Sequence, residues 1–136
     1  MRIAYFCFIA AAVAAICGMS LGIFMGIRGD FTLVPVHAHI NLLGWVSLAL
    51  YGLYHRGVTR ADNRLAWVQV GCAALAVPVM TGALTALLLT GSERFVSLAI
   101  LGSLLAVAGM LLFLASVIAD MRATAGATRD LRSRAA

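Results

Sequence analysis

Charge is what this sequence has least of. Its 136 residues include ten arginines, no lysine and five acidic residues. None of them falls within four long stretches: Ile3–Ile27, Phe31–Tyr54, Leu65–Ser92 and Phe95–Ala119. With 63% hydrophobic residues and a mean hydropathy of +1.03, a soluble domain of this size could not hide its apolar surface. Each uncharged stretch is longer than the roughly 20 residues a helix needs to cross a hydrocarbon core. In lipid the backbone must satisfy its own hydrogen bonds, so the stretches are expected to be helices. The expected fold is an all-α membrane protein, a four-transmembrane-helix bundle forming one domain over residues 1–120. Its helices should cover about 3–27, 33–55, 65–90 and 95–119, with an Arg-rich polar tail over 121–136.

Other shortages narrow the chemistry. The spans hold no carboxylate, which argues against a proton-coupled multidrug exporter, since that chemistry needs an acid within the membrane. Cysteine occurs only at Cys7, Cys17 and Cys72, in no CxxC or CxxCH pattern, so neither a redox dithiol nor covalently attached heme is indicated. Cys7 and Cys17 lie roughly 15 Å apart along one helix, too far to bridge, and all three read as small apolar filler. The two prolines are Pro35, suited to the first turn of the second helix, and Pro78, which removes a backbone donor within the third. No extramembrane segment is long enough for a catalytic domain. The opening "MR" and apolar run imitate a secretory signal, but the run is too long and lacks a convincing cleavage pattern, so it is expected to stay as the first helix.

The arginines set an expected orientation. Arg2, Arg56, Arg60, Arg64, Arg122, Arg129, Arg132 and Arg134 fall on one side, and Arg28 and Arg94 on the other. By the positive-inside bias both termini should be cytoplasmic. The net charge of +5 then calls for anionic lipid headgroups rather than nucleic acid. Small residues recur at helix-packing spacing in Gly18, Gly22 and Gly26, in Ala74, Pro78, Gly82 and Ala86, and in Gly102, Ala106 and Gly109. Such ridges let neighbouring backbones approach closely.

The second stretch departs from this apolar background. It carries His37 and His39, with Asn41 and Gly44 following. Residues two apart on a helix point about 200° apart with a rise of about 3 Å, so the two imidazoles cannot readily chelate one ion. One face runs His37, Asn41, Gly44, Leu48, Tyr51 and His55; the other runs His39, Leu42, Leu43, Val46 and Leu50. The spacing suits two sites at one depth, and heme accepts a neutral imidazole on each face of its iron. Gly44 would leave room for a macrocycle. Each histidine is alternatively a hydrogen-bonded packing residue or one that reaches for the membrane surface. His55, beside Arg56 and two tyrosines, reads as an interface anchor.

The segment from His37 to Arg56, "HAHINLLGWVSLALYGLYHR", resembles the tenth transmembrane helix of heme-copper oxidase catalytic subunits, especially C-type terminal oxidases and nitric oxide reductases. The shared pattern is carried by His37, His39, Leu43, Gly44, Trp45, Val46, Gly52 and Tyr54. The resemblance is strong over about twenty residues and general over the other helices. It implies that His37 and His39 are heme ligands on opposite sides of the helix. That family also needs three further histidines for a second metal and another for low-spin heme, whereas this chain has only His55 besides the pair. One protomer is therefore not expected to be a complete oxidase, and no catalytic residue is assigned.

The family's twelve helices form three four-helix groups, so the resemblance implies a homo-oligomer. A trimer would rebuild that frame, with heme between His37 of one protomer and His39 of the next; a dimer sharing one bis-histidine heme is the alternative. Arg28 and Arg94 are candidates for the heme propionates, or alternatively plain helix anchors. The expected function is a b-type heme protein of the bacterial inner membrane that transfers electrons or binds nitric oxide or oxygen. A copper- or heme-handling assembly protein and a cofactor-free structural subunit are the other readings. The redox partner is not legible.

Overall fold

The computed structural model describes residues 2–58 and 63–135, with side chains described through 127. Arg60 lies outside the described residues, and the side chains of Arg129, Arg132 and Arg134 outside the described side chains. Four helices account for nearly all of it: α1 (Arg2–Arg28), α2 (Val34–Gly57), α3 (Arg64–Thr90) and α4 (Val96–Ala135). All four have the length and apolar character to cross a membrane. Among the described residues there is no strand.

The uncharged stretches mark the first three helices closely. α4 differs. Hydropathy ends near Ala119, but the backbone stays helical to Ala135. Loss of hydropathy does not end a helix when Ala, Arg, Met and Leu, all good helix formers, continue the sequence. At 40 residues α4 is about 60 Å long, twice the roughly 30 Å hydrocarbon core.

The connections are tight because their residues fit turns. Gly29 takes a φ of +63° after α1, and Gly91 takes +66° at the end of α3, where its N–H reaches the Leu87 carbonyl at 2.8 Å. Glycine adopts that left-handed conformation without steric cost. The Asp30 carboxylate accepts from the Thr32 N–H at 3.0 Å and the Thr32 hydroxyl at 2.7 Å. Those bonds, with Arg28 nearby, hold its carboxyl below the usual range. Asn63 caps α3 by accepting from the Ala66 N–H at 2.8 Å.

Consecutive helices run antiparallel. α1 packs mainly on α2 and α3 on α4, and the two pairs meet in a cluster of Ile3, Cys7, Leu48, Tyr51, Val70 and Ala73. Phe113 of α4 closes it, with ring centroids 4.8 Å from Tyr51 and 4.9 Å from Tyr54. Small residues set the α3–α4 distance. A Cβ on Gly102 would lie 2.6 Å from the Met80 backbone nitrogen, and one on Gly109 would lie 3.2 Å from that of Ala73. A Cβ on Gly82 would meet nothing within 4 Å.

This contrast gives a stability test. Gly102→Ala must push α3 and α4 apart and is expected to destabilise the bundle by about 1–3 kcal/mol. Gly82→Ala is expected to be neutral, or stabilising by up to about 1 kcal/mol through helix propensity. Unfolding titrations of the two variants in detergent micelles measure the difference.

Candidate functional site

The middle of α2 is not an α-helix. Val34–His39 is α-helical, Ile40–Ser47 forms a π-helix, and the α-helix resumes over Leu48–Gly57. Side chains account for both ends of the wide segment. The Asn41 amide nitrogen donates to the His37 carbonyl at 2.8 Å, and the Ser47 hydroxyl donates to the Leu42 carbonyl at 2.8 Å. Each bond offers the backbone an alternative to its regular ladder. Gly44, a weak helix former, occupies the centre. π-segments of this kind recur at functional sites.

His37 is half-buried on the side of α2 that faces α1. Its Nδ1 lies 2.9 Å from the Gly18 carbonyl oxygen. A carbonyl only accepts, so Nδ1 carries the proton, and the lone pair of the neutral ring is on Nε2. The glycine ridge of α1 makes the seat. A Cβ on Gly22 would come within 2.9 Å of His37 Cε1, and one on Gly18 within 2.5 Å of the Asn41 amide nitrogen. That nitrogen is 3.4 Å from His37 Nε2 and 3.5 Å from Nδ1. It lies beside the ring while its short bond goes to the carbonyl, so Nε2 keeps its lone pair.

His39 is held in the same way by a different acceptor. Its Nδ1 donates to the Pro35 carbonyl at 2.6 Å, which again leaves Nε2 with the lone pair. On its face Leu42 at 62%, Val46 at 40% and Leu50 at 57% exposed form a stripe on the outside of the protomer, whereas Leu43 is half-buried beside Tyr51 and Met110. The two rings thus address different surroundings, the α1–α2 seam and the outer surface.

Gly44, expected to leave room for a macrocycle, lines an apolar groove and is also where α1 and α3 close on α2. A Cβ there would lie 2.7 Å from Ala14 Cβ and 3.2 Å from Val77 Cγ1. Space lies alongside it, in an apolar groove of about 510 Å³ walled by Phe6, Val13 and Cys17 of α1 and by Pro78 and Thr81 of α3. Neither His37 nor His39 lines this groove. Arg28 is placed over the Phe24 ring at 5.9 Å and Arg94 over the Phe95 ring at 4.7 Å, both within cation–π range. Neither guanidinium is brought to a histidine.

His55 is the clear departure from expectation. It is not an interface anchor: it is 2% exposed and bonded to Gln69 of α3 at 2.9 Å. Gln69, itself 0% exposed, is the one glutamine in the chain, and a lone amide in an apolar run was the signal that could have found it. Among the described residues no three His, Cys, Asp or Glu side chains gather as a metal-binding group. Compared with family models, curated proteins and solved structures, the chain matches none.

The hydrogen bonds fix a measurable property. In ¹⁵N-histidine-labelled protein in bilayers, before any heme is added, His37 and His39 are both expected as the Nδ1–H tautomer. An Nε2–H signal from either ring contradicts the seats described above.

Proposed function

We propose that the protein is an integral membrane b-type heme protein, a minimal relative of the heme-copper oxidase unit, that works as a homo-oligomer in electron transfer. The observation that carries this reading is the pair of seated imidazoles. Both present an unprotonated Nε2 because Nδ1 is committed to a backbone carbonyl, which is how proteins commonly orient and polarise a metal-ligating histidine. The resemblance of the His37–Tyr54 segment to the oxidase helix supports the same assignment.

Heme bound between His39 of one protomer and His37 of the next would exchange single electrons, and two axial imidazoles leave no open position for a gas. The exposed stripe around His39 gives a neighbouring protomer an apolar surface to cover. Closed cyclic symmetry is expected of such an assembly, with a trimer rebuilding a twelve-helix frame. The outward position of His39, against the enclosed seat of His37, favours a second arrangement in which a dimer offers His39 from both copies. Arg28 and Arg94 are assigned to the propionate side. The arginine bias supports cytoplasmic termini, and we assign the protein to a bacterial inner membrane.

The reduced-minus-oxidised visible spectrum of the purified protein, with a pyridine hemochrome assay, tests the proposal. Equal amounts of heme and protomer, lost in both His37→Ala and His39→Ala, are expected for the shared-ligand ring. Half that amount of heme, lost only in His39→Ala, identifies the dimer. No heme after expression with ample heme supply overturns the reading and leaves copper or heme handling, or a structural role.

A further inference from the structure

The opposite end of α2 holds a second buried imidazole with a different hydrogen-bonding problem. His55 Nε2 lies 2.9 Å from Gln69 Oε1; the amide oxygen accepts, so Nε2 carries the proton and Nδ1 the lone pair. His55 Nδ1 and Gln69 Nε2 are both buried without a protein partner. Turning the Gln69 amide over does not help, since one atom of each residue is still left unpaired. Native proteins rarely leave buried polar atoms in that state unless water reaches them.

Beside the pair is a cavity of about 40 Å³, above the roughly 10–15 Å³ one water requires. His55, Asn63, Ser116 and Asp120 line it together with Val58 and Ala66. Its wall is polar on three helices. α2 contributes His55, with Tyr54 edge-on to its ring at 5.4 Å. The α3 side contributes Asn63, just before the first turn; Arg64 at the first residue of α3 and Gln69, bonded to His55, are outside the lining. α4 contributes Ser116 and Asp120, whose carboxylate accepts from the Tyr54 hydroxyl at 2.5 Å. α1 places Cys7 beside Gly52, with Arg2 at its start. Asp120 is thus the acidic group in the wall, at the bundle end where α1 begins and α2 finishes.

We propose that this cavity holds water and makes His55 a proton-binding site, supplied from that end of the bundle, with Asp120 as the carboxylate that attracts the proton inward. Water in the cavity, whose wall includes His55, satisfies the His55 lone pair. As the pH falls, a proton passes from hydronium to Nδ1 through that water, converting imidazole to imidazolium. Nε2–H stays on Gln69, and the Asp120 charge offsets the new cation across the cavity. His39 and His55 are sixteen positions apart, about 24 Å along a helix, so the site is separate from the proposed heme ligands and stands whether or not heme binds.

The test is ¹⁵N NMR on the full-length protein in lipid bilayers, titrated from alkaline to acidic pH, with its three histidines assigned by single His→Gln variants. His55 is expected to change reversibly from the Nε2–H tautomer to imidazolium. In Asp120→Asn the midpoint should fall by about one pH unit, because an attracting charge is gone. Water-edited spectra of the unmutated protein should also show magnetisation transfer from water to the His55 ring. A His55 that stays neutral throughout, shows no transfer from water, or titrates unchanged in Asp120→Asn overturns the proposal.

Discussion

An imidazole N–H inside a bilayer has no water to turn to, and the α1–α2 pair is built around that constraint. His37 and His39 solve it with backbone carbonyls, one borrowed from α1 at Gly18 and one from their own helix at Pro35. The Gly18 bond requires α1 to pass very close to α2, which in turn requires glycine at positions 18 and 22, where any side chain would collide with Asn41 or the His37 ring. Glycine ridges in membrane helices are commonly read as generic packing surfaces. Here the ridge has a chemical role as well, because closeness is what brings a carbonyl within reach of Nδ1.

The π-segment follows from the same region. Asn41 touches the His37 ring and carbonyl at once, and Ser47 repeats the side-chain-to-carbonyl bond six residues later. Between them Gly44 lets Ala14 and Val77 approach. The distorted stretch is therefore fixed on both sides rather than loose, and it begins at the residue after His39. A wide turn at that point sets the direction of the resumed helix, and hence where Tyr51, Tyr54 and His55 meet α3 and α4.

Much of this was legible in the sequence, for a definite physical reason. Charge is excluded from hydrocarbon, so its absence marks helix bounds to within about three residues for α1, α2 and α3. The face His37, Asn41, Gly44, Leu48, Tyr51 and His55 points inward in the structure, with Leu42, Val46 and Leu50 outside, while Leu43, expected with them, is half-buried. What hydropathy could not show were features with other causes. The end of α4 depends on helix propensity in water, the π-segment on side-chain bonds of Asn41 and Ser47, and the burial of His55 on a glutamine one helix away. Likewise Gly44 reads equally well as room for a ligand or as room for Ala14 and Val77, and the sequence around it does not distinguish them.

The two polar regions of α2 end up in opposite chemical states. At His37 and His39 every ring N–H is matched to a carbonyl, and what remains on each is a lone pair, a condition that favours a Lewis acid such as heme iron. At His55 and Gln69 one acceptor and one donor are left over together, a condition that no single cation relieves but water does, since it donates and accepts at once. Between these regions lies the tightly packed, largely apolar cluster of Ile3, Cys7, Leu48, Tyr51 and Val70. One helix thus carries two polar regions of different chemistry, one left with lone pairs and the other with a donor and an acceptor. Influence between them can travel through charge or through the packing of α2.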